Sequence, residues 1–141
     1  MAIWYLDTSA LAKVVRPEAE TPALRRWLED KRWIISDLHR TELRRAALRS
    51  GGRALARAER LLAASDVIRI DASTFDEAGR IEPPTLRSLD ALHMAAAFSL
   101  GPDLSGIVGY DDSLMEVASS AGVPTASPGL DRGWGTPSPR P

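Results

Sequence analysis

Cysteine is absent from the 141 residues, which removes disulfide cross-links and thiolate metal sites and fits a reducing compartment. Histidine occurs only twice, so a metal site would draw mainly on oxygen donors. Lysine is nearly missing too, since Lys13 and Lys31 are the only two among 18 basic residues. The lack of any lysine after Lys31 excludes a receiver-like phosphoacceptor, which needs one late in the chain. No apolar run approaches the roughly 20 residues of a membrane span. The first residues, Met1 to Asp7, lack the basic start and long apolar stretch of a signal peptide. Net charge is only −1, so no global basic excess points to nucleic acid. What remains is an ordinary globular composition, 44% hydrophobic and 26% charged, expected in a soluble, cytoplasmic, single-domain protein with a real core.

Along the chain, short β-prone runs alternate with helical patterns. Strands are expected at 2–6, 33–35, 67–70 and 106–109, with an edge strand at 122–126 because Pro124 disfavours a central one. Between them, helices are expected over 8–16, 21–30, 37–50, 53–64, about 71–78, about 85–100 and after Asp112. Gly51-Gly52 stops one helix, and Glu82-Pro83-Pro84 separates two others. This alternation predicts an α/β fold, a three-layer α/β/α arrangement with a mostly parallel central sheet of about four to five strands. Residues 1–127 are expected to form the domain and 128–141, rich in Pro, Gly and Ser, a flexible C-terminal tail.

The stretch Thr85 to Leu100 is the centre of the pattern. Leu86, Leu89, Leu92, Met94, Ala96, Ala97 and Leu100 leave almost no polar face, predicting a largely buried helix. Into its start are set Asp90 and His93, three residues apart on one face. A buried carboxylate needs a partner. Capping by Thr85 or Ser88 and the helix dipole supply part of that.

Ligands of parallel α/β sheets bind outside the carboxyl ends of the strands. Asp7 follows the first strand and Asp111 the fourth. Glu42 lies in the second turn after the second strand, and Asp90 early in the helix before the fourth. Read singly, Asp7 and Asp111 are helix N-caps, Glu42 a solvated face residue and His93 a packed core residue supporting Asp90. Read together, they gather negative charge at one sheet edge, where carboxylates repel unless a cation sits among them. Hard oxygen donors suit Mg²⁺ or Mn²⁺, ions that serve phosphoryl chemistry. The residues therefore point to metal-assisted attack on a phosphate ester.

Tyr5-Leu-Asp-Thr-Ser-Ala-Leu11, Glu42 with Arg45, Leu89-Asp-Ala-Leu-His-Met-Ala95 and Tyr110-Asp111 resemble, in order over residues 2 to 127, the PIN-domain ribonucleases. The resemblance is strongest to the VapC toxins of bacterial toxin–antitoxin pairs. It implies that Asp7, Glu42, Asp90 and Asp111 are the catalytic acids and bind Mg²⁺ or Mn²⁺, with Ser9 beside the first of them. It also implies an endoribonuclease acting on tRNA or rRNA through metal-activated water. The implied partners are a small VapB-type antitoxin and a second copy of the chain in a homodimer. The family's Thr or Ser two residues before its fourth acid is replaced by Gly109, which leaves Asp112 open as a substitute for Asp111.

Between residues 40 and 60 stand seven arginines against two glutamates. This is either a solvated face covered by long stems or a track for RNA phosphates. Arg44, Arg45 and Arg49, with Arg87 beside the acids, are the RNA-contact candidates. A haloacid-dehalogenase-like phosphatase would need a second Asp where Ser9 stands. The remaining alternative is a catalytically inactive PIN-like module that binds RNA or an antitoxin.

Overall fold

The computed structural model describes residues 2–130. Five strands form one parallel sheet: β1 (Ile3–Leu6), β2 (Trp33–Ser36), β3 (Val67–Ile68), β4 (Leu104–Val108) and β5 (Thr125–Ala126), in the order β3-β2-β1-β4-β5. The helices are α1 (Thr8–Val15), α2 (Thr21–Leu28), α3 (Leu38–Leu48), α4 (Gly52–Ala64), α5 (Ala72–Ala78), α6 (Ser88–Phe98) and α7 (Asp112–Ser120).

Strand periodicity assigns the two faces. Leu6, Ile35 and Val108 pack with α1, α2, α3 and α4, whereas their neighbours Tyr5, Ile34 and Ile107 pack with α6 and α7. The central strands are apolar on both faces because both are covered, as parallel sheets require. The three-layer expectation is met, with five strands, all parallel. Pro124 precedes the edge strand and uses its carbonyl, which accepts from Ile107 N–H at 2.9 Å.

Several boundaries differ from the sequence pattern. β3 stops at Ile68 rather than Ile70, where Ile70 N–H instead donates to Asp37 Oδ2 at 3.0 Å. β4 begins two residues earlier, at Leu104. α6 spans Ser88–Phe98 rather than 85–100, its N-cap residue is Arg87, and no side chain caps it, so neither Thr85 nor Ser88 takes that role. Nor is α6 apolar all round to the core: Leu89 is 50% exposed and Phe98 38%. The buried face is completed by small residues, since Ala91 and Ala95 pack on Ala78 of α5.

Most of the tail expected at 128–141 lies outside the described residues. Its first residues are in contact with the domain: Tyr110 Oη donates to the Pro128 carbonyl at 2.7 Å, and Leu130 N–H to Ser127 O at 2.9 Å. Among the described residues, no helix is long and apolar enough to cross a membrane.

Candidate functional site

Because β1 and β4 are adjacent and parallel, their carboxyl ends deliver Asp7 and Asp111 to the same edge. Asp7 N–H donates to Val108 O at 2.9 Å, which extends the ladder by one residue before the chain turns into α1. The Asp7 side chain is the N-cap of α1, and Asp111 is the N-cap of α7, accepting from Leu114 N–H at 3.3 Å. The capping reading and the shared-edge reading are thus both true of these two residues.

Asp7 is 5% exposed. Its Oδ2 accepts from the Ser9 hydroxyl at 2.7 Å, and that same oxygen, Ser9 Oγ, accepts from Tyr110 N–H at 2.8 Å. One hydroxyl therefore ties the first acid to the backbone leading into the last. Burial raises the Asp7 pKa, opposed by His93 and the Ser9 hydrogen bond, with the charges of Glu42 and Asp111 adding to the rise.

Gly109 is the position where the sequence departs from the family pattern. A Cβ built there would lie 3.0 Å from Asp7 Cβ and 3.1 Å from Met115 Sδ. The close approach of β4 to the Asp7 side chain is the reason glycine suits this place. Gly109→Ser is expected to push Asp7 aside, with a stability loss of about 1–3 kcal/mol. Any activity that depends on Asp7 should fall by at least about tenfold. Denaturant unfolding and a parallel activity assay would check this; wild-type stability would show that the backbone yields freely.

Asp90 is 7% exposed, and its Oδ2 is buried without a hydrogen-bond partner. Burial raises its pKa, the Asp111 and Asp7 charges add to the rise, and Arg87 and His93 oppose it. The Arg87 guanidinium stands 3.5 Å from both Asp90 Oδ2 and Asp111 Oδ2. Arg87 is thus placed against the acids themselves. The charge of Asp111 acts on both Asp7 and Asp90, and Asp112 is exposed.

Glu42 reaches the same region from α3. Its Oε1 accepts from Thr8 Oγ1 at 2.9 Å and from His93 Nε2 at 2.6 Å. Both bonds use one oxygen, so neither consumes Oε2. His93, on α6, spends its hydrogen bonds on Glu42 and Tyr5 and acts on Asp90 through its charge. Tyr5 Oη donates to Ser36 Oγ at 2.9 Å and lies 2.6 Å from His93 Nδ1. A tyrosine whose proton is committed to serine can only accept from the ring, and a carboxylate can only accept at the other nitrogen. In that arrangement both ring nitrogens of His93 are placed to donate, as in the charged ring. Burial works against that charge, but the Glu42 hydrogen bond and the charges of Asp7, Glu42 and Asp90 outweigh it, and the His93 pKa is raised. Reciprocally, Glu42 is lowered despite its burial, chiefly by His93.

His39 lies alongside, fully buried, with Nε2 2.6 Å from Leu6 O and Nδ1 accepting from Ser36 N–H at 3.1 Å. Burial and the charge of His93 lower its pKa to about 3. It is a neutral strut beside a charged ring, 5.2 Å away between centroids. Of this network the sequence pattern singles out Glu42 and His93. Tyr5 in an apolar strand is the available signal for the rest, since a buried tyrosine hydroxyl needs a partner.

The arginine-rich face is partly tied up. Arg44 makes two bonds to Glu59, at 2.8 and 2.9 Å, joining α3 to α4. Arg57 donates to Val15 O at 2.9 Å, while Arg45 and Arg49 are exposed.

Among the described residues, no three His, Cys, Asp or Glu side chains already form a metal cage. The donor set nonetheless fits a hard divalent ion: Asp7 and Asp90 are raised by neighbouring carboxylates, one buried oxygen lacks a hydrogen bond, and a guanidinium stands where positive charge is needed.

Sheet order, crossing helices and edge carboxylates together define a PIN domain: the model of that family matches residues 4–118, and the chain belongs to it. Within the family it is of the VapC ribonuclease type. Ribonuclease VapC46 of Mycobacterium tuberculosis is 40% identical over 129 residues, covering 91% of this chain and 99% of that protein. Ribonuclease VapC35 of the same species is 40% identical over 133 residues, covering 91% and 98%. The crystal structure of M. tuberculosis VapC20, a Sarcin-Ricin loop cleaving toxin, superposes with a TM-score of 0.66 at 22% identity, covering 89% of this chain and 99% of that one. At that identity the likeness speaks for the fold.

Proposed function

We propose that this protein is a metal-dependent endoribonuclease toxin acting on a structured cytoplasmic RNA, of the tRNA or rRNA class, and restrained by a VapB-type antitoxin. The observation that carries the reading is the buried Oδ2 of Asp90, without a hydrogen bond, in the company of Asp7 and Asp111. The VapC ribonucleases at 40% identity support the activity.

Asp7, Asp90 and Asp111 would hold Mg²⁺ or Mn²⁺, with Glu42 contributing through Oε2. Such an ion supplies a nucleophile at neutral pH and offsets charge on the phosphate. The chain's own residues set the geometry. Ser9 fixes Asp7 from one side, and the β4 backbone at Gly109 confines it from the other. Thr8 and the His93 ring keep Glu42 ionised and oriented, which leaves Oε2 for the ion. Arg45 on α3 and Arg49 at its end are exposed and are assigned to RNA phosphates, whereas Arg44 must first leave Glu59. A homodimer is expected, as for the VapC type.

Incubation with total RNA, with Mg²⁺ or Mn²⁺ and with EDTA, beside Asp7→Asn, tests this directly. Discrete fragments that need the metal and vanish in the variant are expected. RNA that binds equally in EDTA and is never cut would instead make the chain a silent binding module.

A further inference from the structure

Arg87 is the N-cap residue of α6, and its side chain is 73% exposed. Its guanidinium spans two acids at once, with Nε 3.5 Å from Asp90 Oδ2 and Nη2 3.5 Å from Asp111 Oδ2. Elsewhere in this protein arginines close on carboxylates more tightly, as Arg44 does on Glu59 at 2.8 Å. The Arg87 contacts are long, and Asp90 Oδ2 keeps no hydrogen bond despite them. The side chain thus offsets the charge of both acids, with one long hydrogen bond to Asp111 and none to Asp90. An exposed pair of this kind is weak and exchangeable.

Two features say what Arg87 does once it leaves. It is tethered by its backbone three residues from Asp90, so its charge stays beside the acids. It also stands at an α6 N-terminus that no side chain caps, where backbone N–H groups and the helix dipole favour an anion. A guanidinium fork matches the oxygens of a phosphate.

We propose that Arg87 is an internal counterion that shares Asp90 and Asp111 with the divalent ion, is displaced when the ion binds, and is thereby handed to the phosphate of the RNA. The inference rests on the metal-site reading above and adds a residue that couples metal binding to substrate binding. Arg87 has opposite effects on the two ligands: it competes with one and holds the other.

Mn²⁺ is titrated calorimetrically into the full chain at fixed ionic strength, for the unaltered protein, Arg87→Gln, Asp90→Asn and Arg26→Gln. Arg26 is exposed on α2 and controls for loss of a positive charge elsewhere. RNA cleavage is then measured at saturating Mn²⁺. Arg87→Gln is expected to bind Mn²⁺ roughly three- to tenfold more tightly, since a nearby like charge is removed. Its kcat/KM should nevertheless be about tenfold lower, since a charge-assisted phosphate contact is lost. Arg26→Gln should change neither. General structural damage would weaken both, so the opposed pair of changes is the signature. Unchanged Mn²⁺ affinity in Arg87→Gln overturns the inference, as does tighter binding with undiminished cleavage. If Asp90→Asn binds Mn²⁺ as tightly as the unaltered protein, the metal-site reading itself falls; if Asp90→Asn loses Mn²⁺ while Arg87→Gln matches the unaltered protein, only the role of Arg87 does.

Discussion

Asp90→Asn should inactivate the protein and at the same time stabilise its metal-free form. In the folded chain this carboxylate is desolvated, lacks a bond at Oδ2 and is repelled by Asp111 and Asp7. Its pKa is raised, so the ionised form is the strained one at neutral pH, and the strain is relieved as pH falls through the folded value. Asparagine has nearly the same shape, carries no charge and brings a donor to a neighbourhood of acceptors. The Arg87 ion pair that it forfeits is long, at 3.5 Å, and its arginine end is exposed, so it contributes little. A gain of about 1 kcal/mol is expected, with a rise in Tm of roughly 2–8 °C for a domain of this size. Activity should move the other way. A metal ligand contributes several kcal/mol to a transition state, and about 4 kcal/mol is ~10³-fold in rate. Thermal unfolding in EDTA beside cleavage in Mn²⁺ would check both; a destabilised variant would mean that Asp90 is structural.

His93→Ala is expected to have the largest effect on stability. The side chain is 2% exposed and bonded at both nitrogens, and it holds the positive charge between Glu42 and Asp7, the latter at 3.6 Å. Removing it leaves two acids facing each other, a tyrosine hydroxyl without its donor and a cavity in the buried network. Breaking one side of a buried ion pair costs about 3–5 kcal/mol, a large fraction of the whole stability of a small domain. Urea unfolding of the metal-free protein would measure it. The loss should shrink in His93→Ala combined with Glu42→Gln, because the orphaned charge goes too. An equal loss with and without Glu42→Gln would refute the ion-pair account.

Asp90 and His93 also mark how far the amino-acid sequence alone reaches. Alternating short strands and helices specify the layers, and the rule about carboxyl ends of strands brings Asp7 and Asp111 together because β1 and β4 are neighbours. What periodicity reports is burial, and burial does not name a partner. His93 is legible as packed, yet its bond to Glu42 crosses 51 residues of sequence, and no local pattern encodes that. The fully buried His39 goes unmarked, because one imidazole in a helix pattern looks like any other polar residue. Arg87 is visible in the sequence only as a basic residue near an acid; its reach to Asp111 depends on the loop before α6. Gly109 reads in the sequence as a lost hydrogen bond, whereas in the fold it is where the backbone closes in against Asp7.

The strand order carries a further consequence for synthesis. β1 lies in the middle of the sheet, and the neighbour that brings Asp111 beside Asp7 is β4, made only after β2 and β3. As the chain leaves the ribosome, β1, β2 and β3 can associate with α1 to α4, but one flank of β1 stays bare until β4 arrives. α6, which carries Asp90, packs on Tyr5 and Ile107 together, so its seat too is incomplete until then. The carboxylates therefore cannot meet before β4 has been made. A chain that has not yet made β4 lacks the arrangement of acids on which the proposed activity depends.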